Sequence, residues 1–239
     1  MGKIIDFGAA EAQSHGPGAA VAPLLGRVDA TEMMASSIRL AAEGRYDGAV
    51  PAGSDLYLYV LSGATRLDCD GRAAALRPDD WAIIEEGKSF ALSGGAAEVL
   101  SITVPPPGAG RTGAGFRGGV KTMAVADLPI VDLPAEKKRR TYLANKELAA
   151  GSERGHAMIV RYTGETLTRK HHHPNAESMF VILSGKVRFL IDGQERVLGR
   201  GEAAFFPIED SHGLRSADGN PLSFLELHVP GAFRTHYDE

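Results

Sequence analysis

His171-His172-His173-Pro174-Asn175-Ala176-Glu177-Ser178-Met179-Phe180-Val181-Ile182-Leu183-Ser184-Gly185 is the stretch on which the reading of this chain turns. His171 and His173 are two residues apart, so on an extended strand both side chains leave the same face. The apolar run Met179 to Leu183 has the composition of a buried strand and closes in a Ser-Gly turn. Downstream, Gly201 and Pro207 bracket a second apolar run, Ala203-Ala204-Phe205-Phe206, and His212 follows. Three imidazoles converging inside a β-structure have the makings of a transition-metal site.

The same grammar occurs once more, nearer the N-terminus. Asp55-Leu56-Tyr57-Leu58-Tyr59-Val60-Leu61-Ser62-Gly63 parallels Glu177 to Gly185, with an acid eight residues before the glycine and a Leu-Ser-Gly closure. Each copy continues into a strand and an Asp-Gly pair, Asp70-Gly71 and Asp192-Gly193, a strong hairpin signal between apolar runs. Leu76 to Ile84 then aligns without a gap on Leu198 to Phe206. Short strands at regular spacing predict an all-β chain of two tandem barrels. Carried across this alignment, His171, His173 and His212 fall on Ala49, Pro51 and Phe90, none of which binds a metal. The first barrel is therefore expected to lack a metal and to fill its centre with apolar side chains such as Phe90.

These motifs resemble those of the cupin family of jelly-roll-like β-barrels, and the repeat resembles a bicupin. The first cupin motif runs glycine, His-x-His, glutamate, glycine. Here His171, His173 and Gly185 match it, and Gly164 stands one residue further upstream than the pattern has it. The second motif is matched by Gly201, Pro207 and His212, with Glu209 where glycine is usual. The resemblance implies a fourth, carboxylate ligand. Counted forward from His173 that ligand is Glu177; counted back from Gly185 the position is Ser178. The two alternatives are a bulge that turns Glu177 inward and a site of three histidines alone.

Domain boundaries follow from composition. Residues 1–104 are read as the first barrel, 105–145 as a linker and extended segment, and 146–239 as the metal-binding barrel. The linker opens on Pro105-Pro106-Pro107-Gly108-Ala109-Gly110-Arg111-Thr112-Gly113-Ala114-Gly115, which breaks helices and strands alike. The stretch from Asn145-Lys146-Glu147-Leu148 leads into the second barrel. Ala30 to Leu40 reads either as a short helix or as an early strand.

The 239 residues are 44% hydrophobic and 23% charged, with 29 glycines and a formal charge of −4. That balance gives no electrostatic case for nucleic acid or an anionic membrane. The one basic cluster, Lys137-Lys138-Arg139-Arg140, reads as a solvated face. Cys69 is the only cysteine, which excludes an intrachain disulfide and a thiolate zinc cluster. No apolar run is long enough for a bilayer or resembles a signal peptide, so a cytoplasmic location is expected.

Three neutral imidazoles, with or without a carboxylate, leave open positions on a six-coordinate ion. One divalent metal per chain is expected, Fe(II) first, with Mn, Ni or Zn as alternatives. In the strand-like run Phe224-Leu225-Glu226-Leu227-His228-Val229, alternation puts Phe224, Glu226 and His228 on one face. If that face points inward, Glu226 and His228 are acid/base candidates. His172, between the paired histidines, is expected to face outward. The resemblance implies a metal-dependent enzyme acting on a small organic molecule, a non-haem Fe(II)-type dioxygenase first. The alternatives are a non-redox isomerase, lyase or aminohydrolase, and a ligand-binding or sensory cupin without turnover. Among the non-redox group, ureidoglycine aminohydrolases pair one metal barrel with one stripped barrel, but their Glu-x-His opening is not found in Arg169 to His173. What the first barrel retains is shape, which points to packing against the second barrel or against another chain in a homodimer.

Overall fold

The computed structural model describes residues 1–109, 113–147, 150–191 and 193–238. Its strands form four antiparallel sheets. A seven-stranded and a four-stranded sheet enclose the first barrel, and a seven-stranded and a five-stranded sheet enclose the second. Two single-turn 3-10 helices, Val125–Asp127 and Pro134–Glu136, are the helical elements among the described residues. Among the described residues no helix is long and apolar enough to cross a membrane.

The two seven-stranded sheets pack back to back, so their central strands are buried on both faces. In Asp55–Gly63, Leu56, Leu58 and Val60 enter the core of the first barrel, while Tyr57 and Tyr59 join Trp81 in a layer between the barrels. In Glu177–Ser184, Phe180 and Ile182 enter the second barrel, while Met179 and Val181 join the same shared layer. Strand period alone assigns each side chain to one compartment or the other.

The barrels exchange strands. Lys3–Asp6 pairs antiparallel with Glu202–Phe206 in the second barrel. Reciprocally, Val120–Ala124 pairs with Asp80–Ile84 in the first. The boundaries drawn from composition therefore need correction. The strand Lys3–Asp6 belongs to the metal barrel's sheet, and the expected linker contributes strands to both barrels, including Val131–Leu133 and Lys138–Ala144 at the edge of the second. The reason is burial: Ile5 and Met123 leave water only against the layer shared by the barrels.

Two carboxylates tie this layer together at equivalent places. Asp55 accepts hydrogen bonds from the Phe116 backbone N–H (3.1 Å), the Ser152 hydroxyl (2.5 Å) and Arg154 Nη1 (3.0 Å). Glu177 accepts from the Thr31 N–H (2.7 Å), the Thr31 hydroxyl (3.1 Å) and the Glu32 N–H (2.9 Å). Each acid stands on one barrel and binds a loop between two paired strands of the other, Ser152 and Arg154 for Asp55 and Thr31 and Glu32 for Glu177. Burial pushes both carboxyls above their ordinary range, and these hydrogen bonds oppose it.

The stretch left open between helix and strand contains the strand Met34–Leu40. The first hairpin turn is as expected, with Asp70 and Gly71 both at positive φ between Thr65–Cys69 and Arg72–Leu76. In the second hairpin, Val187–Ile191 pairs with Gln194–Leu198. Asp192, the linker residues Gly110, Arg111 and Thr112, and Leu148 lie outside the described residues. Phe90 is buried in the apolar core of the first barrel, 5.9 Å from the Tyr46 ring.

Candidate metal centre

His171 lies near the end of the strand Leu167–His172 and pairs in register with His212, the first residue of His212–Ser216. His173 lies just past the first strand. One nitrogen of each ring falls within 4.8 Å of the others, and all three residues are buried. Among the described residues this is the one group of three such side chains placed to share an ion.

The backbone fixes which nitrogen each ring offers. His171 Nδ1 lies 2.7 Å from the Arg169 carbonyl, His173 Nδ1 2.8 Å from the Arg234 carbonyl and His212 Nδ1 3.0 Å from the Asp210 carbonyl. A carbonyl only accepts, so Nδ1 carries the hydrogen in all three and Nε2 presents its lone pair. His173 Nε2 and His212 Nε2 are buried with no hydrogen-bond partner. Leaving such groups unpaired costs about 1–3 kcal/mol each, and a shared cation would satisfy them. Burial holds all three rings below the usual histidine range, His173 near 4 and His212 well below its ordinary value. They are thus neutral at physiological pH, the form that binds metal. Phe206 stacks on His212 with centroids 4.1 Å apart, fixing that ring in place.

Glu177 is not brought to this cluster. Its carboxylate is taken by Thr31 and Glu32 on the other side of the sheet. Strand parity is the physical cause, since Glu177 shares its face with Met179 and Val181. No bulge lies between Glu177 and Ile182, whose register against Leu222–Val229 is continuous. The inward neighbour is Ser178, the position reached by counting back from Gly185. The set of side chains placed to ligate is three histidines.

Glu226 and His228 do face inward, on Leu222–Val229, in the same cavity as His171 and His173. His228 Nε2 donates to Glu226 Oε1 at 2.8 Å, and its Nδ1 accepts from the Ser178 hydroxyl at 2.9 Å. Burial alone would raise the Glu226 carboxyl. The hydrogen bond and proximity of His228, with Arg140 and His156 behind them, outweigh burial and hold it at about 2. A half-buried carboxylate kept ionised beside an imidazole is available to accept a proton, as a weak base because its pKa lies far below neutral pH.

The cavity measures about 290 Å³. Phe180 and Phe224 line its walls, and the C-terminal segment after Val229 borders its mouth. Phe233, Thr235 and Tyr237 point in from that strap. Phe233 stacks on His228 at 3.9 Å. Asn175 clamps the strap by donating to the Ala232 carbonyl (2.8 Å) and accepting from the Arg234 N–H (2.9 Å). At its end Asp238 pairs with Lys170 (2.9 Å) and His172 (3.1 Å). His172 therefore serves the strap and not the triad. Lys138 and Arg140 also line the cavity, contrary to the reading of residues 137–140 as a solvated face. They were missed because two like pairs in sequence hide an alternation, Lys138-x-Arg140-x-Tyr142, that turns every second side chain inward.

Residues 158–228 match the model of the cupin domain. Among solved structures, a point mutant of Bacillus subtilis oxalate decarboxylase superimposes with a TM-score of 0.72 at 13% identity, covering 98% of this chain and 78% of that one. The chain has the bicupin fold. This bicupin is similar as well to Escherichia coli protein Ylba, with a TM-score of 0.74 at 14% identity over 95% of this chain and 90% of that one. The formate complex of Lactobacillus farciminis oxalate decarboxylase gives 0.72 at 13% identity over 98% and 88%. The Bacillus subtilis enzyme has Mn(II) centres. At these identities the likeness is one of fold. A curated relative, the Salmonella typhimurium mannose-1-phosphate guanylyltransferase ManC, is 33% identical over 64 residues, or 27% of this chain and 13% of that protein. The chain thus spans a small part of that relative.

Proposed function

We propose that this bicupin is a metal-dependent enzyme acting on a small organic substrate, with one divalent ion held by His171, His173 and His212 and with Glu226 as the base. The observation that carries the reading is the sharing of one cavity by the neutral imidazoles of His171 and His173 and an ionised, imidazole-paired carboxylate. When bound, the ion supplies Lewis acidity and open coordination positions. Fe(II) is the first expectation, and Mn(II), the metal of the Bacillus subtilis oxalate decarboxylase, is the second. Glu226 takes a proton from the bound substrate. His228 orients that carboxylate, and Ser178 fixes His228. Phe180, Phe224 and Phe233 keep water from the reacting atoms.

A non-haem Fe(II)-type dioxygenase is the reading proposed first, because a three-histidine site leaves coordination positions for substrate and dioxygen together. The non-redox reading, an isomerase, lyase or aminohydrolase, draws on the Glu226–His228 pair, which moves protons without an oxidant. The test is elemental analysis of protein purified without added metal. An oxygen-uptake screen against catechols, hydroxybenzoates and diketones follows. One ion per chain and uptake matched to product support the dioxygenase. Turnover with no oxygen consumed selects the non-redox reading, and absence of metal sinks both.

A further inference from the structure

We propose that Lys138 and Arg140 form an anion subsite and that the molecule entering this cavity is a small carboxylate. The inference rests on the metal-enzyme reading and narrows its substrate class.

Both cations stand on the same face of Lys138–Ala144 and line the triad's cavity. The Lys138 side chain is only 10% exposed, and its ammonium lies 3.3 Å from Glu136 Oε2. Arg140 Nη2 reaches the same oxygen at 3.8 Å, and its Nε is buried with no hydrogen-bond partner. Glu136 serves both cations; the Lys138 ammonium also lies 5.6 Å from the Tyr162 ring, and Arg140 acts on Glu226 as well. Keeping a cation out of water is costly unless it is paired, so buried Lys138 and the unpartnered Nε of Arg140 leave donor capacity on the cavity wall that an incoming anion would take up.

The charge count across the site points the same way. Ser178 stands inward where a carboxylate ligand would offset the ion, and the triad is neutral. Glu226 is the other carboxylate on the wall, and with Glu136 it balances Lys138 and Arg140 before any ion enters. A divalent ion added to this set leaves the cavity positive, and a mono- or dicarboxylate restores balance. A cavity of about 290 Å³ stands at the small end of ligand pockets and admits a compact acid. The guanidinium adds a fixed, planar fork suited to a carboxylate.

The test is calorimetric binding of succinate and benzoate against succinamide and benzamide, on metal-free and metal-loaded protein. The acids should bind at least tenfold more tightly than the amides, and their affinity should fall with ionic strength. Lys138→Met and Arg140→Met should each weaken acid binding about tenfold while leaving metal content unchanged. Metal content reads the enzyme proposal separately from anion binding. If a variant fails to fold, the acid-to-amide ratio and salt dependence of the wild-type protein decide alone. Equal binding of acids and amides, or no binding by either acid, overturns the proposal. So does unchanged acid affinity in folded variants.

Discussion

The two barrels share a frame and differ in what their inward positions hold. The first is filled, with Phe90 among Leu67, Leu92 and Val99. The second turns His171, His173, Glu226 and His228 toward a cavity that its apolar core leaves open, with His212 and Ser178 packed directly behind them. The strands, their register against the shared layer and the carboxylate clasps are common to both. A barrel's stability comes from apolar contact and backbone pairing, so a handful of inward positions can gain or lose chemistry while the frame stands.

The hardest way to break the comparison is to remove the triad. His212→Ala, or His171→Ala with His173→Ala, should take metal content from one ion per chain to near none while the circular dichroism spectrum persists. Phe90→His in the first barrel should add no metal, since Ala49 and Pro51 still supply no nitrogen. Next in size is Glu226→Gln. Metal should stay bound, and turnover of an identified substrate should fall by about 10²- to 10⁴-fold, the usual worth of a positioned base.

The clasps test what is common to the two halves. Asp55→Ala should cost about 3 kcal/mol, because Arg154 is left buried and underpaired. Glu177→Ala should cost about 2 kcal/mol through the stranded N–H groups of Thr31 and Glu32. Urea unfolding measures both. Neither variant should lose metal, the reverse of what a ligand role for Glu177 demands.

A smaller effect separates the halves by pH. His156 and His173 are held near 4 by burial, and an unfolded histidine titrates near 6.5. Between those values the unfolded chain takes up protons that the fold refuses. The stability of metal-free protein should therefore fall as pH drops from about 6.5 toward 4. The first barrel has one histidine, His15, and it is exposed. His156→Phe should make the fall in urea midpoint shallower. The smallest expected change is Asn175→Ala, which frees the strap for about 1 kcal/mol and should quicken metal release to a chelator.

Much of this was readable from residue order. Spacing gave the triad because His-x-His and Gly-Pro-His are local patterns, and the alternation of Phe224, Glu226 and His228 put both polar residues on one face, whose inward direction only the structure decides. Glu177 could not be placed, because a strand buried on both faces shows no polar alternation to mark its parity. Ser178 is the residue that resolves the two motif counts. The strand exchange was invisible for another reason: Lys3–Asp6 and Val120–Ala124 find partners far away in sequence, and no local signal names a distant partner. Lys138 and Arg140 needed the edge strand before their inward direction meant anything.

The exchange also bears on how the molecule is made. Lys3–Asp6 leaves the ribosome ahead of both barrels but has no partner until Glu202–Phe206 emerges. Through that interval its apolar Ile5 waits uncovered, while the first barrel still lacks Val120–Ala124 until the proline-rich segment has passed. The second barrel then completes its sheet with a strand synthesised before the first barrel began. Cutting the gene between the barrels would strand each half without an edge, so the smallest unit expected to fold is the pair.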